Sequence, residues 1–152
     1  MAVPGHLVDS NILLRIARRD DPDHAIVDAA VARLAGEGAV LYYRLQNIAE
    51  FWNVATRPAN SNGFGLAVAD AERETRVIEK GMVLLPDSEA IYYEWRRLIF
   101  AHSVPGVQVL DARLAAAMSV HGVTHLLTLN TDDFKRYTHV TAVHPASLAY
   151  SG

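Results

Sequence analysis

The chain has 152 residues, about half of them hydrophobic, and a net charge of −3, which suits one folded domain over 1–152 and excludes a disordered chain. It has no cysteine, which excludes a disulfide framework and thiolate metal sites, and no run approaching the ~18 apolar residues of a membrane span. There is no global basic field, so any nucleic-acid contact must come from a local patch or from bound cations.

His6, Leu7 and Val8 predict a short buried strand that Asp9 ends. Ser10 and Asn11 open a helix over 12–18. A polar turn leads to a second helix over 23–37, where Ile26, Val27, Ala30, Val31 and Leu34 recur at helical spacing. A strand is expected over 40–43. The helix over 44–56 carries Leu45, Ile48, Ala49, Trp52 and Ala55 on its apolar stripe. Residues 57–65 are the clearest loop. A charged helix over 66–80 and a strand over 82–85 follow, stopped by Pro86. Asp87 or Ser88 caps a helix running to about His102, and Val104-Pro105-Gly106 breaks it. An extended segment, 107–110, leads into Asp111, which starts an alanine-rich helix closed by Gly122. The last elements are a strand over 125–129, a short helix over 134–137 opened by Asn130-Thr131-Asp132-Asp133, and a strand over 140–143. Strands alternating with helices predict a mostly parallel sheet covered on both faces.

Four acidic stations stand out: Asp9, Glu50, Asp111 and the Asp132-Asp133 pair. Strand ends and helix starts of an open parallel sheet lie along one edge, so these acids can converge there. Asp9 and Asp111 also read as helix caps, and Asp in a first turn is favoured by the helix dipole. Glu50 is in mid-helix, too late to cap anything. Carboxylates gathered together repel one another unless a cation sits among them. An all-oxygen set without Cys or His suits Mg²⁺ or Mn²⁺.

The stretches Leu7-Val8-Asp9-Ser10-Asn11, Asn47-Ile48-Ala49-Glu50-Phe51, Leu110-Asp111-Ala112-Arg113-Leu114-Ala115-Ala116 and Leu127-Thr128-Leu129-Asn130-Thr131-Asp132-Asp133-Phe134 resemble PIN-domain ribonucleases, above all the VapC toxins of toxin–antitoxin pairs. Their order and spacing match from about His6 to Pro145. The resemblance implies a three-layer α/β sandwich with a four- to five-stranded sheet. It implies Mg²⁺- or Mn²⁺-dependent cleavage of RNA phosphodiesters, inhibited by a cognate VapB-like antitoxin; the lack of cysteine fits a cytoplasmic location. Asp9, Glu50 and Asp111 match the principal metal-binding acids. Asp133 matches the fourth acid better than Asp132, with Asn130 a polar helper. Ser10 and Thr128 match hydroxyls that orient the acids.

Candidate RNA contacts are Arg15, Arg44, Arg57 and Arg113, while Arg18 and Arg19 read as ordinary solvated arginines. No histidine has a convincing place; His6 reads as a core residue. A homodimer is expected through the segment around residues 66–102, with Phe64, Tyr92, Tyr93 and Trp95 as surplus apolar side chains. A phosphoacceptor receiver domain fits poorly, because Asp9 is followed by Ser10-Asn11 and not by a second acid. An Asp-x-Asp phosphatase fails at Asn11. A PIN fold that holds RNA or protein without cutting is the serious alternative.

Overall fold

The computed structural model describes residues 2–149. Its strands are β1 (His6–Val8), β2 (Leu41–Tyr43), β3 (Val83–Leu84), β4 (His125–Leu127) and β5 (Thr141–Val143). All neighbouring pairs are parallel, in the order β3-β2-β1-β4-β5. The helices are α1 (Ser10–Ala17), α2 (His24–Gly36), α3 (Leu45–Thr56), α4 (Val68–Gly81), α5 (Glu89–Ala101), α6 (Gln108–His121) and α7 (Pro145–Ala149). None of the described helices is long and apolar enough to cross a membrane.

Side chains alternate across a strand, and the central strands use both faces. Leu7 of β1 and Leu126 of β4 enter a cluster with Leu98, Ala115 and Met118 of α5 and α6. Their neighbours Val8 and Leu127 enter a second cluster with Ile12, Val27 and Phe51 of α1, α2 and α3. Two apolar faces make the three layers, and each central strand accordingly ends in two fully buried apolar residues, Leu7-Val8 and Leu126-Leu127. His6 is 3% exposed, and its Nδ1 lies 2.8 Å from the Pro4 carbonyl, as expected of a core histidine.

The chain runs from β1 outward to β2 and β3, then returns to the other side of β1 for β4 and β5. The strand order therefore reverses between β1 and β4, which opens a crevice beyond their C-terminal ends. Asp9 and Thr128 are the residues immediately after those ends.

Three expectations are corrected. Residues 107–110 are not extended: α6 starts at Gln108, after Val107 in αR conformation. The 125–129 strand stops at Leu127, and the 134–137 helix is a 3-10 turn, Thr131–Phe134. After β5 the chain forms α7, which starts at Pro145, a favoured first helical residue. The 57–65 loop is a structured excursion. Phe64 N donates to Val54 O and Leu66 N to Ala55 O, both at 2.9 Å, so the loop folds back on α3. A Cβ on Gly63 would meet the Arg57 carbonyl at 1.9 Å, so only glycine fits that approach.

Candidate active site

Asp9 ends β1 and is the N-cap of α1, accepting from Ser10 N at 2.7 Å on Oδ1. Its other oxygen accepts from Thr128 Oγ1 at 2.9 Å. Thr128 is fully buried, and its hydroxyl also accepts from Asn11 Nδ2 at 3.2 Å and Asn130 N at 3.1 Å. One proton donated and two lone pairs filled leave this hydroxyl no freedom to rotate. Asn11 closes the arrangement by accepting from Leu129 N at 3.2 Å. The capping role of Asp9 is thus real, and only part of what holds its carboxylate.

Glu50 lies across from Asp9, on α3. Ser10 Oγ donates to its Oε2 at 2.8 Å and sits 3.4 Å from Asp9 Oδ1. The hydroxyl has a single proton, and the shorter contact takes it. Gln46, one turn earlier, donates from Nε2 to Glu50 Oε1 and to the Leu110 carbonyl, both at 2.9 Å. Two acceptors on one side fix the orientation of this amide. The contact also ties α3 to the turn of α6 that carries Asp111.

Asp111 is in the first turn of α6, not at its cap. Burial first, then the charges of Asp9, Asp133 and Glu50, push its carboxyl up to about 6, against a smaller pull from Arg136. Burial also raises the Asp9 carboxyl; bonds from Thr128 and Ser10 oppose the rise, and the Glu50 charge adds to it. Asp9, Glu50, Asp111 and Asp133 therefore share one electrostatic site at the C-terminal edge of the sheet. Asp132 is turned away, paired with Lys135 at 2.8 Å on the surface. Asn130 contributes its backbone N–H to Thr128.

Among the described residues no three carboxylate or imidazole groups are gathered closely enough to enclose a metal ion. The donor chemistry nonetheless fits a hard dication: all oxygen, with mutual repulsion at Asp111 that a cation would relieve. Mg²⁺ keeps several waters and takes one or two carboxylates directly, so a loose set of acids suits it.

The arginines divide. Arg44 is 1% exposed. Its guanidinium donates to the carbonyls of Leu85 and Pro86 at 3.2 and 3.3 Å and to Asp87 at 2.6 Å. It ties the end of β3 to α3 and has no surface for RNA, which corrects the expectation for it. Arg15 reaches Asn11 O at 3.4 Å and Asp21 at 3.7 Å, and Arg57 binds Asn62 O inside its loop at 2.9 Å. Arg113 is half-buried and makes no hydrogen bond or ion pair with the described residues. Sequence reasoning missed Asn11, Gln46 and Arg136. Of these, only Asn11, two residues past Asp9, sits close enough to a recognisable motif to have been found.

A PIN-domain family model matches residues 6–140. The chain belongs to the PIN-domain family. Among solved structures this PIN domain is similar to VapBC2 from Rickettsia felis bound to a promoter DNA fragment, with TM-score 0.67 and 12% identity over 91% of this chain and 97% of that one. It is similar to VapC20 of Mycobacterium tuberculosis, a sarcin–ricin-loop-cleaving toxin, with TM-score 0.66 and 14% identity over 90% and 98%. A toxin–antitoxin complex from Klebsiella pneumoniae gives TM-score 0.59 and 21% identity over 93% and 98%. At these identities the likeness is one of fold. No curated protein matches the chain by sequence.

Proposed function

We propose that this PIN domain is a VapC-like endoribonuclease toxin, acting in the cytoplasm and restrained by a cognate antitoxin. The observation that carries the reading is the shared electrostatic site. Burial, then the charges of Asp9 at the end of β1, Asp133 in the 131–134 turn and Glu50 in the middle of α3, push the Asp111 carboxyl up to about 6. Asp9, Glu50 and Asp111 would hold Mg²⁺ or Mn²⁺, with Asp133 as the fourth acid. When bound, such a cation supplies a water of lowered pKa and polarises a phosphate. Ser10, Thr128 and Gln46 fix the carboxylates in place. Arg113 and Arg136 are the cations that can meet the phosphates beside the acids.

The looseness of the acids favours a second reading, a PIN fold that binds RNA without cutting. Sequencing of RNA ends after induced expression separates the two. New ends with the wild type that vanish with Asp9→Asn support the nuclease; no new ends with either would leave the binding module.

The antitoxin is proposed to reach the acidic edge with an arginine, which binds carboxylates bidentately. The proposed homodimer keeps the expected 66–102 segment and narrows its apolar side chains. Phe64 is half-buried beneath Arg18, whose guanidinium lies 4.7 Å from the ring centre. Trp95 packs into the core. The apolar stripe left outward on α5 is Tyr93 and Phe100, 58% and 89% exposed and two turns apart. Light scattering at micromolar concentration should give a dimer mass that Phe100→Ser reduces; a monomeric wild type would remove the claim.

A further inference from the structure

The first two turns of α5 and α6 line an open pocket of about 490 Å³, with Tyr92, Trp95, Leu110 and Arg113 on its wall. Leu110 and Arg113 flank Asp111 in sequence, and the Leu110 carbonyl holds the Gln46 amide that also holds Glu50. The pocket wall and the acidic edge therefore share one turn of α6.

The chemistry of the pocket is specific. The Trp95 indole N–H is occupied by the Val109 carbonyl at 2.8 Å, so what Trp95 offers is ring surface. The Tyr92 ring is 49% exposed. Asp87 on the wall is already bound by Arg44 at 2.6 Å. Arg113 has no anion of its own among the described residues. A second guanidinium, Arg96, lies 5.9 Å from the Tyr92 ring centre. Aromatic faces bordered by unmatched guanidinium charge suit a planar ring carried on an anion. An apolar peptide segment would instead cover Arg113 and leave its charge without a partner.

Resting on the nuclease reading, we propose that this pocket is a nucleobase subsite. It takes one unstacked base of a single-stranded RNA whose backbone passes the acids, with Arg113 on the neighbouring phosphate. Single-stranded RNA is read in this way, by stacking splayed bases on aromatic side chains.

The test uses the full chain and a short single-stranded oligoribonucleotide spanning a cut found by RNA-end sequencing. Single abasic substitutions near the cut should reveal one position where kcat/KM falls roughly 5- to 150-fold, the range for loss of one base stack. Tyr92→Ala should lower cleavage of the intact oligonucleotide comparably and abolish the sensitivity to that position. In chelator, a 4-thiouridine at that position should photo-cross-link to Tyr92 or Trp95. Additive losses, or cross-links only to other residues, would overturn the subsite while leaving the nuclease standing. Pocket cross-links with a uridine-walked oligonucleotide, without any cleavage in Mn²⁺, would keep the base site and remove the nuclease. Burial of the pocket by a second copy, read as its protection from iodination at Tyr92 on dimerisation, would overturn the proposal.

Discussion

Ser10 donates its hydroxyl to Glu50 at 2.8 Å across 40 residues of sequence, while its own N–H holds Asp9. One small residue thus sets the spacing of two acids, one at the end of β1 and one on α3. Ser10→Ala removes the bond to Glu50 but keeps the backbone bond to Asp9. Cleavage should fall about tenfold, the effect of losing one hydrogen bond to a charged group. Ser10→Thr should restore most of it, because the hydroxyl returns. Steady-state kinetics in Mn²⁺ check this; an unchanged kcat in Ser10→Ala would make the contact incidental.

Asp111 no longer has a capping reading, because α6 begins at Gln108. Asp111→Asn should therefore cost no cap. In chelator its melting temperature should equal or exceed that of the wild type, since like-charge repulsion is relieved. In Mn²⁺ the wild type should gain stability and the variant much less. Loss of an anionic ligand should lower RNA cleavage by at least roughly 100-fold. Equal Mn²⁺ stabilisation of the two proteins would take Asp111 out of the ligand set.

The folded Asp111 carboxyl is pushed up to about 6 from an ordinary value of 3.8. The folded state then binds more protons than the unfolded chain between those values. Without metal, the Asp111 contribution to stability is unfavourable above pH ~6 and is relieved as pH falls toward 4. Burial lowers His6, which acts oppositely: its stabilising neutrality is lost as pH falls below about 6.5. The difference between wild type and Asp111→Asn isolates the first effect. In chelator the wild type should gain on the variant as pH falls from 7.5 to 5; a constant difference in melting temperature would refute the shift.

Arg44 and Asp87 form an asymmetric pair, 1% and 53% exposed. Removing the exposed acid leaves a buried cation, whereas removing the buried arginine leaves a solvated acid. Asp87→Ala should therefore destabilise by on the order of 3 kcal/mol, and Arg44→Met by on the order of 1–2 kcal/mol, for the two carbonyls left without donors. Urea melts of the two variants check the order. The reverse order would show that Arg44 acts mainly through its packing.

Much of this was written in the chain. The buried run His6-Leu7-Val8 ended by Asp9 gave β1 with its acid, and the run from His125 gave β4 but not its end, which was expected at Leu129 and falls at Leu127. The start of α6 was hidden: Val107 and Leu110 look like strand residues, but Val107 is the 77% exposed N-cap of the helix and Leu110 lies 42% exposed in its first turn. Helix α7 is five residues long, too short for any period to show. Arg44 and Gln46 are polar residues at a helix start, and nothing local says that their partners are the carbonyls of Leu85 and Leu110. Those partners come from other layers, and only the packed fold names them.

The bonds that hold Asp9 in place span 119 residues, to Thr128, and Asn11 joins Leu129 across 118. During synthesis β1 is made first, and its second flank stays open until β4 is added. A nascent chain, or one cut short before Thr128, therefore carries Asp9, Glu50 and Asp111 without the hydroxyl that locks the first of them. The lock on Asp9 is therefore added late in translation. If the chain is the nuclease proposed above, its first acid is unlocked for as long as the chain is unfinished.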